Sequence, residues 1–175
     1  KTKVYGATDP ELTATVEGLV EGEEESLITY ALGRAEGENV GEYTITPSGE
    51  EAQGNYTVTY EPGKLTITKA TMTLTATGYE GEYDGESHAA SATASVTAGT
   101  TIEYKVGEGD WTTTAPSIKD VGEKTVQVRA TNSNYNVATA TTKLKVTPAA
   151  VTVTAEDKTK VYGATDPELT ATVEG

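Results

Sequence analysis

Cysteine and phenylalanine are absent from this 175-residue chain, and tryptophan, histidine and methionine occur once each. Without cysteine neither a disulfide framework nor a thiolate metal site can form, so stability has to come from packing and backbone pairing. His88 is the single histidine. With no cysteine nucleophile and no Gly-x-Ser-x-Gly elbow beside it, a hydrolase triad lacks its parts, so the chain is expected not to be an enzyme and no catalytic residue is assigned. Basic charge is scarce too: 13 Lys and Arg stand against 27 Asp and Glu, a formal net charge of −14. Nucleic acid and anionic membrane surfaces are poor partners for such a chain, because both demand Lys and Arg patches. Nor does any apolar run approach the roughly 18 residues that a membrane-spanning helix needs.

What the chain has in plenty is repetition. Residues 1–18, KTKVYGATDPELTATVEG, return unchanged as residues 158–175, a shift of 157 positions (158 − 1). Identity over that length implies one full period of a tandem array followed by the start of the next copy, with both ends falling inside the array. A shorter period lies within. Residues 55–70 (NYTVTYEPGKLTITKA) align without gaps on residues 134–149 (NYNVATATTKLKVTPA), and Tyr5, Tyr83 and Tyr162, each followed by Gly or Asp-Gly, fall in step. The expected organisation is therefore a module A over residues 1–69, a related module B over residues 70–149, and residues 150–175 as the first strand and opening of the next module A. By the internal alignment a strand like residues 151–155 belongs ahead of each Tyr-Gly motif. Module A has none ahead of Tyr5.

Alternation of period two recurs throughout and helical stripes are hard to find, so the fold class is all-β. Two small tandem β-sandwich-like modules in an elongated rod are expected, with a β-grasp-like arrangement as the alternative. Leu12, Ala14 and Val16 share one face of a strand. Residues 26–32 read as a strand covered on both sides, and residues 56–68, with Glu61-Pro62-Gly63-Lys64 at the turn, as a hairpin. Leu65 and Ile67, then Met72 and Leu74, then Val126 and Val128, then Leu144 and Val146 are the candidate core. Most of the tyrosines fall at alternating strand positions and are counted with it. Residues 64–77 join the modules with no Gly or Pro between Leu65 and Thr77, so neighbours should be stiffly coupled.

Candidate sites are few. The acidic stretch 21–25 and the turn 107–110 could supply oxygen ligands to calcium, but neither has EF-hand spacing, so no cofactor is assigned and solvated loops are the simpler reading. Trp111, directly after a turn, is the candidate for stacking on a sugar ring, because a flat aromatic buries a pyranose face. Val151, Val153 and Ala155 form a candidate strand-donor segment. An open sheet edge is a template for strand addition, so this segment of one molecule can complete module A of the next, head to tail; the alternative is that module A folds with its edge exposed and the stub is disordered or packs locally.

The runs Lys3-Val4-Tyr5-Gly6, Asp9-Pro10-Glu11-Leu12, Arg34-Ala35-Glu36-Gly37-Glu38-Asn39-Val40-Gly41-Glu42-Tyr43, Asn55-Tyr56 and Gly63-Lys64-Leu65-Thr66-Ile67 resemble the YGX-type MBG repeat of large bacterial surface and adhesin-like proteins. Module B, through Tyr83-Asp84-Gly85, Trp111-Thr112-Thr113, Asp120-Val121-Gly122 and Arg129-Ala130-Thr131-Asn132, is similar to the bacterial Ig-like repeats that accompany it. The resemblance implies an extracellular protein of the bacterial cell surface built of many repeats. Its expected function is that of a stalk or spacer whose partners are neighbouring repeats. The alternatives are a module that binds host glycan or mucin and a fibre subunit that assembles by strand complementation.

Overall fold

The computed structural model describes all residues, Lys1–Gly175, and the fold is all-β: sixteen strands and a single 3-10 turn at Glu25–Leu27, with no α-helix. No helix crosses a sheet as a β-grasp would require. The chain divides into two compact units: Lys1–Leu74 with Ala94–Ile102 and Arg129–Thr139, and Thr75–Thr93 with Glu103–Val128 and Ala140–Gly175.

The first unit contains β1 (Thr2–Val4), β2 (Ala31–Arg34), β3 (Gly41–Ser48), β4 (Ala52–Gln53), β5 (Tyr56–Thr57) and β6 (Gly63–Thr68). Four of them make a mixed sheet in the order β1-β6-β3-β2. β6 is central, antiparallel to β3 and parallel to β1. Its alternate residues Leu65 and Ile67 are fully buried with Ile45 of β3, and Tyr5, Leu12 and Tyr43 close over them. Each such burial contributes about 1.5–3 kcal/mol. On the other face Lys64 meets Glu42 at 2.9 Å in solvent. A second core lies in the same unit, where Met72, Ala94 and Ala130 are buried under Leu74, Val96, Ile102, Tyr135 and Ala138.

The remaining strands are β7 (Leu74–Thr77), β8 (Tyr79–Glu82), β9 (His88–Ala89), β10 (Ser91–Ala94), β11 (Thr101–Val106), β12 (Ser117–Ile118), β13 (Gly122–Asn132), β14 (Tyr135–Thr147), β15 (Thr152–Ala155) and β16 (Ala171–Glu174). The sheet order β11-β13-β14-β8 repeats the order of the first sheet read from its far edge. β8 lies parallel to β14 as β1 does to β6. Even individual bonds recur. Tyr5 donates its N–H to Thr68 and Tyr83 to Thr147, each at 2.8 Å, and the hydroxyls of Thr68 and Thr147 donate to the carbonyls of Lys3 and Gly81, each at 3.2 Å. Val126, Val128, Leu144 and Val146 form the buried face. The same strand order and the same parallel pairing are thus built twice.

β7 and β8 are one extended stretch shared between two sheets, β7 pairing with β10 and β8 with β14, as in a β-sandwich whose first strand changes sheets. Gly78 is the crossing point, and a Cβ there would lie 1.9 Å from the Lys143 carbonyl oxygen, so no side chain fits.

Three expectations need correction. Residues 56–68 are not a hairpin: Tyr56–Thr57 folds back on Ala52–Gln53, while β6 pairs with β3 and β1. The side chains of Leu65 and Ile67 place β6 at the centre of a sheet, where the short polar segment before it could not cover them. Residues 26–32 are a 3-10 turn followed by a strand that starts only at Ala31, with Ile28 buried and Leu27 exposed. Of ten tyrosines only Tyr104 is buried, because each ring carries a hydroxyl that needs water or a partner, and the aliphatic residues fill the interior instead.

Candidate functional site

Residues 12–17 keep the predicted alternation, with Leu12, Ala14 and Val16 half-buried and Thr13, Thr15 and Glu17 exposed, yet they form no strand. No backbone hydrogen bond ties residues 14–17 to any neighbour. Beside them opens a groove of about 500 Å³, lined by Ala14, Val16, Leu32, Ile45, Val58 and Tyr60 among others. Its chemistry is that of a sheet edge: unpaired backbone groups along one wall and an apolar floor ending in buried Ile45.

The candidate donor residues lie in the second unit. Val151 and Val153 are 63% and 67% exposed and Ala155 is exposed with them. β15 pairs antiparallel with β16, Val153 opposite Val173 and Ala155 opposite Ala171. Since residues 171–174 are the second copy of residues 14–17, the donor segment is seen paired with the very sequence that is unpaired in the first copy.

A charge cluster that sequence reasoning missed gathers the motif residues of the first copy. β1 brings Lys3 beside the turn 35–40, and the Lys3 ammonium, whose side chain is 4% exposed, pairs with Asp9 at 2.6 Å and with Glu38. Arg34, at the end of β2, donates from Nε to Asp9 at 2.5 Å and also pairs with Glu38. The Arg34 guanidinium further donates to the carbonyls of Ala35 and Gly37, each at 2.8 Å, and lies 5.6 Å from the centre of the Tyr43 ring. Bonds from Arg34 and then Lys3 hold the Asp9 carboxyl at about 2, well below its ordinary 3.8. Glu38 is lowered by Lys3 first and Arg34 second. Gly37 has a φ of 136°, and a Cβ there would stand 2.3 Å from the Tyr43 ring, so the turn requires glycine. Every charge in the cluster is answered within it, which makes it a staple for the fold and leaves nothing to engage a ligand. The residues are dispersed in sequence, and only the spacing of Lys3 to Asp9, repeated as Lys160 to Asp166, hints at a pair.

The other candidates stay apart. Trp111 is half-buried beside the turn 107–110, where Tyr104 and Thr112 exchange backbone bonds of 2.7 and 2.9 Å. His88 stacks on Tyr79, ring centres 3.4 Å apart, and its Nε2 lies 3.1 Å from both carboxylate oxygens of Asp84. In the acidic stretch 21–25 the Glu23 carboxylate accepts the Tyr56 hydroxyl. No three His, Asp or Glu side chains are arranged to hold a metal ion.

A family model described as MBG domain (YGX type) matches residues 1–66 and 151–175, together more than half of the chain. The two matched stretches contain the groove wall and the strand that pairs with its second copy. No curated protein matches the chain.

Proposed function

Because the chain belongs to the MBG domain family of the YGX type, we propose that it is a structural repeat of a bacterial surface protein, a spacer that holds an adhesive tip away from the cell. The observation that carries this reading is the join after β6. Ala70 donates to the Asn134 carbonyl at 3.0 Å and accepts from the Asn136 N–H at 2.8 Å. The Asn134 side chain accepts from the Val40 N–H and donates to the Asn39 side chain, each at 2.9 Å. Tyr5 and Tyr135 meet edge to face with ring centres 5.4 Å apart.

Residues from the two sequence repeats are thus bonded to one another where a flexible linker would leave them apart. Stability that is local to each repeat and its neighbour suits a spacer, because length then scales with copy number. The acidic surface keeps like modules soluble and separate. Small-angle X-ray scattering on single chains of one, two and three periods tests the reading. A maximum dimension that rises linearly with period number supports it, and chains that collapse to compact particles contradict it.

A further inference from the structure

β2 forms one edge of the first sheet, and that edge is bare. Antiparallel partners alternate between residues that exchange backbone bonds and residues that do not. Ala31, Gly33 and Ala35 turn their backbone groups toward β3: Ala35 donates to the Thr44 carbonyl at 2.9 Å, and Leu32 stands opposite Pro47, which has no N–H. The backbone groups of Leu32 and Arg34 therefore point away from the sheet. Those of Tyr30 do the same, because the Gln53 side chain takes both backbone groups of the preceding Thr29, at 2.7 and 3.0 Å. No backbone hydrogen bond reaches the outward N–H or C=O of Tyr30, Leu32 or Arg34.

β11 holds the same place in the second sheet and is protected. Thr112 exchanges bonds of 2.7 and 2.9 Å with Tyr104 on its outer side, between the charged residues Glu103 and Lys105. Charges and covering segments are the usual guards of a sheet edge. Tyr30, Ala31, Leu32 and Gly33 have neither, and residues 26–35 contain no Asp or Glu. Nor does the strand ahead of a tyrosine motif cover this place, since β7 pairs with β10 and not with β11.

We infer that the β2 edge pairs with the β2 edge of a second copy of this chain, antiparallel about a two-fold axis at Leu32. Leu32 then exchanges backbone bonds with its own copy, and Tyr30 with Arg34 of the other strand, so every outward group on both strands is answered. A shift of two residues either way leaves one of the three without a mate. On the face away from the core, exposed Ala31 stands opposite Gly33 of the second copy, and a side chain at Gly33 would have open space around it. A second copy fits because an acid-free strand meets an acid-free strand in a chain that carries 27 acidic residues elsewhere. The contact is isologous and closes at the dimer. It is small and therefore weak, and the net charge of −14 on each copy opposes it at long range, so salt should strengthen it. The inference goes beyond the spacer reading, and either can fail alone.

Sedimentation equilibrium over a concentration series tests it. The mass of the unsubstituted chain should rise from one copy to two and stop there, with a tighter dimer at about 0.5 M than at about 0.05 M sodium chloride. Ala31→Glu with Gly33→Glu sets like charges opposite one another at two places and should weaken the dimer about fivefold. Ala31→Lys with Gly33→Glu keeps the net charge, sets opposite charges at the same two places and should strengthen the dimer about fivefold. In either shifted register residue 31 or residue 33 would meet itself, and the Lys-Glu variant would weaken the dimer. A mass that stays at one copy throughout, a mass that climbs past two, or a Lys-Glu variant that associates less than the unsubstituted chain would each overturn the inference.

Discussion

Residues 1–18 and 158–175 are letter for letter the same and adopt opposite halves of one structure. In the first copy Thr2–Val4 is a strand on β6 and residues 14–17 are unpaired. In the second, residues 159–161 are no strand and Ala171–Glu174 pairs with β15. Tyr5 packs on the core of its sheet, whereas Tyr162 is fully exposed. Each segment becomes a strand where its partner is present and not elsewhere. Strand formation in this family member is a property of pairs, as expected where β-propensity measures packing and pairing more than local backbone preference.

The largest break in this comparison comes from Leu65→Ala. Emptying the centre of β6 should cost about 2–5 kcal/mol in urea unfolding. Amide exchange should show β1 losing its protection while β15 and β16 keep theirs, since that hairpin owes nothing to Leu65. Loss of protection in both copies would mean that they are not independent.

A smaller effect separates the two lysines. Lys3→Met leaves Asp9 and Glu38 with Arg34 alone and should lower the melting temperature by several degrees, while Lys160→Met, whose partner Asp166 stands in solvent, should leave it unchanged. Acid sharpens the same contrast. Asp9 is held at about 2 in the folded chain against an ordinary 3.8, so its contribution is whole above 3.8 and is lost as the pH falls toward 2. Asp9→Asn should remove part of the acid sensitivity in that window, followed by thermal melts at pH 5, 3.5 and 2.5.

The all-β class and the core positions Leu65, Ile67, Val126, Val128, Leu144 and Val146 were legible because period-two alternation is a local signal. Partner choice was not. Nothing near Pro62 says that β6 leaves Tyr56–Thr57 for β3 and β1, because that choice depends on what can cover Leu65 and Ile67. The charge staple was hidden too, since Asp9, Arg34 and Glu38 converge on Lys3 only after two strands and a turn are in place. Alternation marked the tyrosines as inward-facing, and their hydroxyls kept most of them at the edge of the core.

The most direct measurement is amide hydrogen exchange at residues 14–17 in a chain extended by a copy of residues 150–157 (AVTVTAED) placed ahead of Lys1, compared with the unextended chain at low concentration. If partners make strands, these amides gain protection comparable to that of Ala171–Glu174. If residues 14–17 exchange as fast with the added strand as without it, the pairing inferred from the repeated sequence is wrong.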